Sequence, residues 1–203
     1  MALVTAAEAR LNIPGLSGTG EDTNLDTLIA RADAALAQWC GYEPATEGGA
    51  AAASLEDVTY TRYLKGPGGR ELQLPFYPIY SVTTIEDDPT EAFNWSSYLI
   101  SSGDYTIRKD RGVVLLKQTA ANAAWSESDS DVIRAVWVGG WTTIPADMKQ
   151  ACIQLVTYWM NQRGTLGKQS INAAGVSVTP RDEQLPATVR QLMSPYRLLR
   201  AWA

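Results

Sequence analysis

The sequence predicts an α+β fold, in which a helical bundle carries an inserted antiparallel β-sheet or small barrel. Two segments, 22–40 and 146–163, place apolar residues at helical spacing along one face. Between them, residues 58–138 contain short runs rich in β-branched and aromatic residues, separated by Gly and Pro turn signals. Strands grouped in this way between helices favour one antiparallel β unit set into a helical part.

The first predicted element is a short helix over residues 5–11. Thr5 and Glu8 have the spacing of a capping box, in which each side chain hydrogen-bonds to the backbone N–H of the other residue. The second helix, 22–40, has the most regular apolar face in the chain, and Gly41 is placed to end it.

The β-rich segment 58–138 is expected to hold about six short strands. A Gly-Pro-Gly-Gly turn at 66–69 predicts one hairpin, and Asp-Arg-Gly at 110–112 predicts another. The predicted strands are 58–64, 70–74, 80–86, 105–109, 113–117 and 132–138, with a weaker one at 98–101.

The third helix, 146–163, begins directly after Pro145, a residue that suits the start of a helix. The segment 165–184 is polar, contains glycine and has little periodicity. This composition predicts an extended or mobile arm.

Two prolines frame the last element, because Pro186 opens a short helix and Pro195 breaks it. The chain is therefore predicted to divide into two parts. Residues 1–164 form a core, and residues 165–203 form a C-terminal arm, short helix and tail.

The amino-acid composition argues against DNA binding and against most catalytic and metal-binding sites. The chain has 22 acidic and 17 basic residues, a net charge of −5, and no histidine. A protein that grips DNA would carry a basic surplus. Histidine is the commonest general base and metal ligand near neutral pH. We therefore expect no catalysis, no metal and no cofactor, although carboxylate-based and lysine-based reactions stay open.

The two cysteines and the N-terminus give expectations about environment. Cys40 and Cys152 lie on apolar helix faces, which predicts buried, reduced thiols. The start of the chain lacks the pattern of a signal peptide, and no apolar run approaches the roughly 20 residues of a membrane span. We expect synthesis in the cytoplasm and no membrane association.

Two segments resemble binding loops. The glycines at 66–69 could cradle a phosphate, but they lack a following Lys-Ser/Thr and join two strands, so a turn is favoured. Glu127, Asp129 and Asp131 alternate as calcium ligands can, but the Gly and distal Glu of a calcium loop are missing. We interpret these carboxylates as a solvated loop.

The seven tryptophans raise the alternative of a carbohydrate-binding β module. Trp39, Trp137 and Trp159 fall at core positions of predicted helices or strands. The remaining four, Trp95, Trp125, Trp141 and Trp202, are uncommitted, and an interface position is preferred for Trp202.

The C-terminal tail is the most informative local feature. It places two arginines among large apolar and aromatic residues at the end of the chain. Such a peptide is typical of an anchor that docks into a partner. The alternative is that it folds back on its own domain. The candidate docking residues are Tyr196, Arg197, Leu198, Leu199, Arg200 and Trp202.

Four segments, in this order, resemble the head–tail connector (adaptor) proteins of long-tailed bacteriophages and gene transfer agents. Leu3–Leu11 matches the opening Leu-Val-Thr-x-x-Glu-Ala-x-x-x-Leu, and Ala34–Gly41 matches the aromatic-Cys-Gly end of the long helix. Gly139–Ala151 matches Gly-Gly-aromatic-x-x-Ile-Pro-x-Asp-hydrophobic-Lys-x-Ala. Leu185–Arg197 matches Leu-Pro-x-x-Val-x-x-Leu-hydrophobic-x-Pro-Tyr-Arg.

This resemblance implies a structural protein of the virion neck. About twelve copies would form a ring below the portal at the capsid vertex, joining it to a stopper or tail protein. Double-stranded DNA would pass through the ring without specific binding, and the tail would dock on the portal. The alternative within the neck is a stopper or tail terminator. The expected ring contacts are Gln154, Arg163, Gln169, Val176 and Val178.

Overall fold

The computed structural model describes residues 3–13, 18–46, 51–93, 96–120, 122–162, 171–173, 176–178 and 185–198. The helices are α1 (Ala6–Asn12), α2 (Asp22–Cys40), α3 (Ala146–Gln162) and α4 (Ala187–Met193). The strands are β1 (Val58–Pro67), β2 (Glu71–Gln73), β3 (Ile79–Asp87), β4 (Tyr105–Arg108), β5 (Val113–Leu116), β6 (Glu127–Gly139), β7 (Ile171–Ala173) and β8 (Val176–Val178). Among these, none of the helices is long and apolar enough to cross a membrane.

The predicted capping box of α1 is confirmed. The Thr5 hydroxyl oxygen accepts a hydrogen bond from the Glu8 N–H at 3.2 Å, and a Glu8 carboxylate oxygen accepts one from the Thr5 N–H at 2.9 Å. The Glu8 carboxylate also forms an ion pair with Lys149 of α3 at 3.0 Å. The cap therefore fixes the start of α1 and ties it to another helix.

The predicted end of α2 is also confirmed. Gly41 adopts a φ of +94°, and its N–H donates to the carbonyl oxygen of Gln38 at 3.0 Å. The N–H of Tyr42 donates to the carbonyl oxygen of Ala37 at 2.9 Å. These two bonds and the left-handed glycine form a Schellman motif, which satisfies carbonyl groups that the end of a helix would otherwise leave unpaired.

The chain forms two compact units. The first contains Met1–Leu36 and Ile144–Arg197, and the second contains Ala37–Thr143 and Leu198–Ala203. The helical unit buries apolar residues from all four helices: Ala9, Leu25, Ile29, Met148, Cys152, Leu155, Val189 and Met193. The division predicted between 164 and 165 stays a prediction.

The second unit contains two three-stranded antiparallel sheets, with strand orders β1-β6-β3 and β2-β5-β4. The predicted α+β class with an antiparallel β insertion is therefore confirmed. The described strands of this unit form two open sheets and no closed barrel, so the barrel alternative is not realised.

One predicted hairpin is correct and the other is wrong. β4 and β5 pair across the 110–112 turn, with Arg108 opposite Val113. The 66–69 turn joins β1 to β2, but β1 pairs with β6 and β2 pairs with β5. A turn sequence specifies where the chain reverses, and the long-range pairing of each strand is decided by packing.

Glu127, Asp129 and Asp131 lie in β6, where a solvated loop was predicted. The strand starts early because Pro67 and Gly66, at the end of β1, pair with Glu127 and Ser128. The three carboxylate residues are exposed on this extension. The weak strand expected at 98–101 is replaced by a 3-10 turn and a single bridge between Leu99 and Glu86.

An aromatic cluster forms the core beside the β1-β6-β3 sheet. Tyr60, Phe76 and Trp137 contact one another, with ring centroids 4.5 to 6.3 Å apart. The indole N–H of Trp137 donates to the carbonyl oxygen of Phe76 at 2.9 Å. The core position of Trp137 is confirmed and Trp125 is also buried, whereas Trp39, Trp141 and Trp159 are half-buried. Trp95 and Trp202 lie outside the described residues.

The predicted arm contains a short hairpin. β7 and β8 pair antiparallel, with Ile171 opposite Val178 and Ala173 opposite Val176. Among the described strands, β7 and β8 pair with each other and with no third strand. The rest of the predicted arm, 165–170, 174–175 and 179–184, lies outside the described residues.

Candidate assembly surfaces

The root of the predicted docking tail lies against α3. The hydroxyl of Tyr196 donates to a carboxylate oxygen of Asp147 at 3.4 Å. Partial burial, and then the adjacent carboxylate, raise the pKa of Tyr196 above its ordinary value, so the phenol stays protonated at neutral pH. Arg197 is exposed, and its N–H reaches the carbonyl oxygen of Ser194 at 3.4 Å.

Leu198 is held by the end of α2. Its backbone N–H donates to the carbonyl oxygen of Cys40 at 2.8 Å, and its side chain is half-buried. The structure therefore places the first part of the tail on its own chain. Leu199, Arg200 and Trp202 lie outside the described residues, and docking of the tail stays a prediction.

A groove of about 410 Å³ opens on the helical unit. Its walls come from the end of α1, one face of α3 and the start of α4, and most of the lining residues are polar. They are Asn12, Gln150, Ile153, Gln154, Thr157, Tyr158, Asn161, Pro186, Thr188 and Val189.

Gln154, one of the predicted ring contacts, lines this groove. Its side-chain oxygen Oε1 is buried and, within the described residues, has no hydrogen-bond partner. A buried acceptor without a donor carries an unrecovered desolvation cost. Of the other predicted contacts, Val176 and Val178 lie in β8, and Arg163 and Gln169 lie outside the described residues.

Sequence reasoning missed an aromatic and charged cluster in the β unit. Tyr63 of β1 and Glu86 of β3 both lie opposite Arg134 of β6. Arg134 forms an ion pair with Glu86 at 2.6 Å, and the Phe93 ring lies 5.0 Å from the Tyr63 ring and 5.8 Å from the guanidinium of Arg134. The hydrogen bond that Arg134 donates to the Glu86 carboxylate raises the pKa of Arg134, so the guanidinium stays charged. Strand alternation could have identified Tyr63, but nothing in the sequence predicted that Phe93 would reach it.

Asp88 holds the loop that presents Phe93. It is fully buried, and its carboxylate accepts hydrogen bonds from the Thr90 N–H (2.8 Å), the Thr90 hydroxyl (2.6 Å) and the Phe93 N–H (2.8 Å). Burial alone would raise the pKa of Asp88, but these donors outweigh it and lower the pKa below its ordinary value. The charged carboxylate thus stabilises a loop in which Glu91 and Phe93 both have positive φ.

The groups with possible chemistry are buried or dispersed. Cys40 and Cys152 are buried and not joined in a disulfide, as predicted, and burial raises the pKa of Cys152 to about 12. A thiol with that pKa stays protonated and is a poor nucleophile at neutral pH. Within the described ranges, no group of three or more Cys, Asp or Glu residues is arranged to hold a metal ion.

The described residues thus present a groove on the helical unit and an aromatic–arginine cluster on the β unit, surfaces that can contact other chains. Comparison with protein families identifies the class further. A profile of the head completion protein family matches residues 3–199, which is nearly the whole chain. The chain belongs to the head completion protein family, and its role is structural.

Three solved structures have the same fold. The first is a chain from the neck of an empty gene transfer agent particle computed with C6 symmetry. It has a TM-score of 0.60 and 17% identity, over 98% of this chain and 92% of that one. The second is from the virion of a native gene transfer agent particle (TM-score 0.57, 18% identity, 98% and 92% covered).

The third is from the neck of a native particle computed with C12 symmetry (TM-score 0.57, 16% identity, 97% and 90% covered). At these identities the likeness establishes the fold, and the match confirms the family resemblance drawn from the four sequence motifs. No curated protein matches the chain.

Proposed function

We propose that this protein is a structural component of the neck of a phage or phage-like particle. Several copies form a ring that joins the portal at the capsid vertex to a stopper or tail protein. The observation that carries the proposal is the match of residues 3–199 to the head completion protein family. The three chains of similar fold come from gene transfer agent particles, two of them from particle necks, which supports the same location.

A ring requires each copy to present two different complementary surfaces. The helical unit offers a groove of about 410 Å³, and the β unit offers the cluster of Tyr63, Phe93 and Arg134. Aromatic residues and arginine are enriched where protein interfaces gain most of their binding energy. Both surfaces are therefore candidates for contacts within the ring or with the next neck protein.

The C-terminal tail is proposed to attach the ring to the portal. Tyr196 and Leu198 fix its root by hydrogen bonds to Asp147 and Cys40. A fixed root lowers the conformational entropy that Leu199, Arg200 and Trp202 lose on docking. On this proposal the tail, residues 196–203, attaches the ring to the portal, whereas residues 1–164 form the body of the ring subunit and the arm 165–184 contributes contacts within the ring.

Double-stranded DNA is proposed to pass through the ring without specific binding. With 22 acidic and 17 basic residues, the chain has a net charge of −5 and repels the phosphate backbone overall. Weak binding suits a channel through which DNA must slide. The protein is proposed to perform no catalysis, which its membership of the head completion protein family supports.

The test uses the full chain with the portal protein of the same particle, imaged by electron microscopy. The proposal predicts a ring seated on one face of the portal. Two truncations then separate docking from folding. Ending the chain after Leu198 keeps the bond to Cys40, and ending it after Ser194 removes that bond as well.

Both truncated proteins should lose co-sedimentation with the portal, and only the shorter one should lose thermal stability. Normal co-sedimentation of the chain that ends at Leu198 would contradict docking by the tail. Failure of the full chain to form a ring on the portal would contradict the neck role itself.

A further inference from the structure

We propose that the turn between β4 and β5 contacts the phosphate backbone of double-stranded DNA through Arg108, Lys109 and Arg111. This inference rests on the proposed function, in which DNA passes through a ring of copies, and it names the residues that touch that DNA. All three cationic side chains lie within the four exposed residues 108–111, although the chain as a whole is acidic.

This turn is a basic point on an acidic unit. The second compact unit, residues 37–143 and 198–203, contains 14 acidic and 9 basic residues, a net charge of −5. The helical unit contains 8 of each and is neutral. In the turn, three basic residues stand against one acidic residue, Asp110, so its net charge is +2. Most of the β unit therefore repels DNA, and the turn attracts it.

The cationic groups of the turn are little neutralised by their own chain. Arg108 and Glu71 form an ion pair at 3.6 Å, but their side chains are 52% and 60% exposed, so the pair is weak. Lys109 Nζ donates to the neutral carbonyl oxygen of Tyr80 at 2.7 Å. Among the described residues, neither Lys109 nor Arg111 forms an ion pair. These charges are therefore available to an anionic partner.

Hydrogen bonds from neighbouring segments fix the backbone of the turn. The N–H of Arg111 donates to the carbonyl oxygen of Arg108 at 3.2 Å. The carbonyl oxygen of Lys109 accepts from the Ile79 N–H at 2.8 Å, and that of Arg111 accepts from the Gln73 side chain at 2.9 Å. A fixed turn loses little conformational entropy on binding. Because these three carbonyl groups are already bonded, the turn offers a partner its side chains.

The spacing of the two arginines suits one DNA strand. Arg108 and Arg111 are the first and fourth residues of a hydrogen-bonded turn, which brings their Cα atoms within about 7 Å. Each strand of a DNA duplex carries one negative charge per roughly 3.4 Å along the helix axis. Two guanidinium groups rooted this close together can therefore face nearby phosphates of the same strand.

Tyr80 extends the cationic surface. Its side chain is 58% exposed, and Lys109 Nζ lies 5.6 Å from the centroid of its ring. Tyrosine hydroxyl groups are among the side-chain donors that contact phosphate oxygens in protein–DNA complexes. The ring therefore adds a polar donor beside the three cations.

A DNA backbone suits this surface better than an acidic protein does. A specific protein interface buries about 800 Å² on each partner, which a four-residue turn cannot supply, and lysine is depleted in such interfaces. Contacts to phosphates need little buried area, because released counterions drive them. They also read no sequence and let a protein slide along DNA. Weak contacts repeated around a ring would guide DNA without holding it.

The first experiment compares the full-length wild type with the double variant Arg108→Gln/Arg111→Gln. Binding to a short DNA duplex of arbitrary sequence is measured by fluorescence anisotropy at several salt concentrations. The logarithm of the association constant falls with the logarithm of the salt concentration by about 0.9 per phosphate contact. Removing two contacts should therefore make this slope shallower by about 1.8. Both side chains are exposed, so the melting temperature should stay unchanged.

Arg31→Gln/Lys65→Gln is the matched control, because it removes two exposed basic residues elsewhere and changes the net charge equally. Its slope should equal that of wild type. Equal changes in both double variants would show that net charge alone decides binding, and the proposal would be wrong. A wild-type chain without salt-dependent affinity for the duplex would also overturn it.

The second experiment identifies the partner inside DNA-filled particles. Asp110→Cys is labelled with a short photoreactive reagent, and the buried Cys40 and Cys152 should not react. Illumination should attach the chain to DNA. Thr119→Cys is the control, because Thr119 is exposed and follows the other end of β5, and it should give no DNA adduct. Adducts of the Asp110→Cys variant with protein chains alone would make the turn a protein contact and overturn the proposal.

The outcomes separate this inference from the proposed function. Rings on the portal together with a wild-type slope in the Arg108→Gln/Arg111→Gln variant would overturn the DNA contact and leave the neck role in place. A shallower slope in a protein that never forms rings would keep the turn as a DNA-binding surface and overturn the neck role. A wild-type slope without rings would overturn both.

Discussion

The backbone N–H of Leu198 donates to the carbonyl oxygen of Cys40 at 2.8 Å, so the root of the C-terminal tail is bonded to the end of α2. The same helix end contains the left-handed Gly41, and a Cβ atom at Gly41 would lie 3.6 Å from Cβ of Leu198. The termination of one helix and the placement of the tail are therefore a single local structure.

Replacing Gly41 with alanine should destabilise the protein by about 1–2 kcal/mol, because a φ of +94° is unfavourable for a residue with a Cβ. The contact with Leu198 is at ordinary van der Waals distance, so the cost comes from the backbone. Urea unfolding measures it. Gly69→Ala is the control, since Gly69 has open space and no positive φ, and its midpoint should stay within error of wild type.

Arg62 should be among the least replaceable charged residues. Its side chain is 6% exposed, its guanidinium donates to the carbonyl oxygens of Pro44, Ala45 and Thr61, and it lies 5.1 Å from the centroid of the Phe76 ring. Arg62→Lys should cost roughly 2–4 kcal/mol, because an ammonium cannot reproduce the planar set of donors and leaves buried carbonyl groups unpaired.

Arg108→Ala provides the comparison for Arg62. Arg108 and Glu71 form an ion pair at 3.6 Å in which both side chains are more than half exposed. Such a pair contributes about 0–1 kcal/mol, so the melting temperature should hardly change. Equal losses for the Arg62 and Arg108 variants would show that burial does not decide the difference.

Asp88 should make stability fall in acid. Its pKa is lower in the folded protein than the ordinary value expected for the unfolded chain, so the folded state binds fewer protons. This stabilisation is fully present above about pH 4 and is lost as the pH falls through the lowered folded pKa. Urea midpoints measured from pH 7 down to pH 2 should follow this decline.

Asp88→Asn should be less stable than wild type at pH 7, because an amide nitrogen would face the Thr90 or Phe93 donors, and its decline in acid should be shallower. Asp26→Asn, at an exposed position of α2, should keep the wild-type profile. An Asp88→Asn curve parallel to wild type across this range would rule out the linkage.

At position 93, replacement with glycine should leave the protein more stable than replacement with alanine, which is the reverse of the usual order. Phe93 has a φ of +49°, and its ring contacts Tyr63 and Arg134. Both Phe93→Ala and Phe93→Gly lose the ring contacts, but only glycine relieves the backbone, by about 1 kcal/mol. Phe93→Gly should therefore unfold at higher urea than Phe93→Ala. The opposite order would mean that the loop relaxes to an ordinary conformation when the ring is removed.

Local sequence signals predicted local structure well. The Thr5–Glu8 capping box, the Gly41 helix end and the 110–112 hairpin each depend on residues within a few positions of one another, and all three are confirmed. The family resemblance was also accessible, because it rests on short motifs in a fixed order along the chain. The predicted docking and ring residues depend on partner chains and stay predictions.

Pairings between distant residues were not accessible. The 66–69 turn predicted that the chain reverses between β1 and β2, but it did not predict which strands they pair with. From the sequence Arg62 would be expected to be exposed, whereas in the structure it is buried and donates to the carbonyl oxygens of Pro44 and Ala45. The Phe93 contact with Tyr63 requires a loop conformation that its sequence does not favour, held by buried Asp88.

The sequence by itself determined the α+β class, the helix ends, the absence of histidine and the membership of a structural family. The tertiary structure alone decided that β1 to β6 form two open sheets, that Leu198 bonds to Cys40, and that Gln154 Oε1 has no donor within the described residues. The physical reason is the separation along the sequence between the residues that interact. Caps and turns are fixed by bonds across a few residues, whereas strand partners and buried polar atoms are fixed only when distant segments compete for the same core.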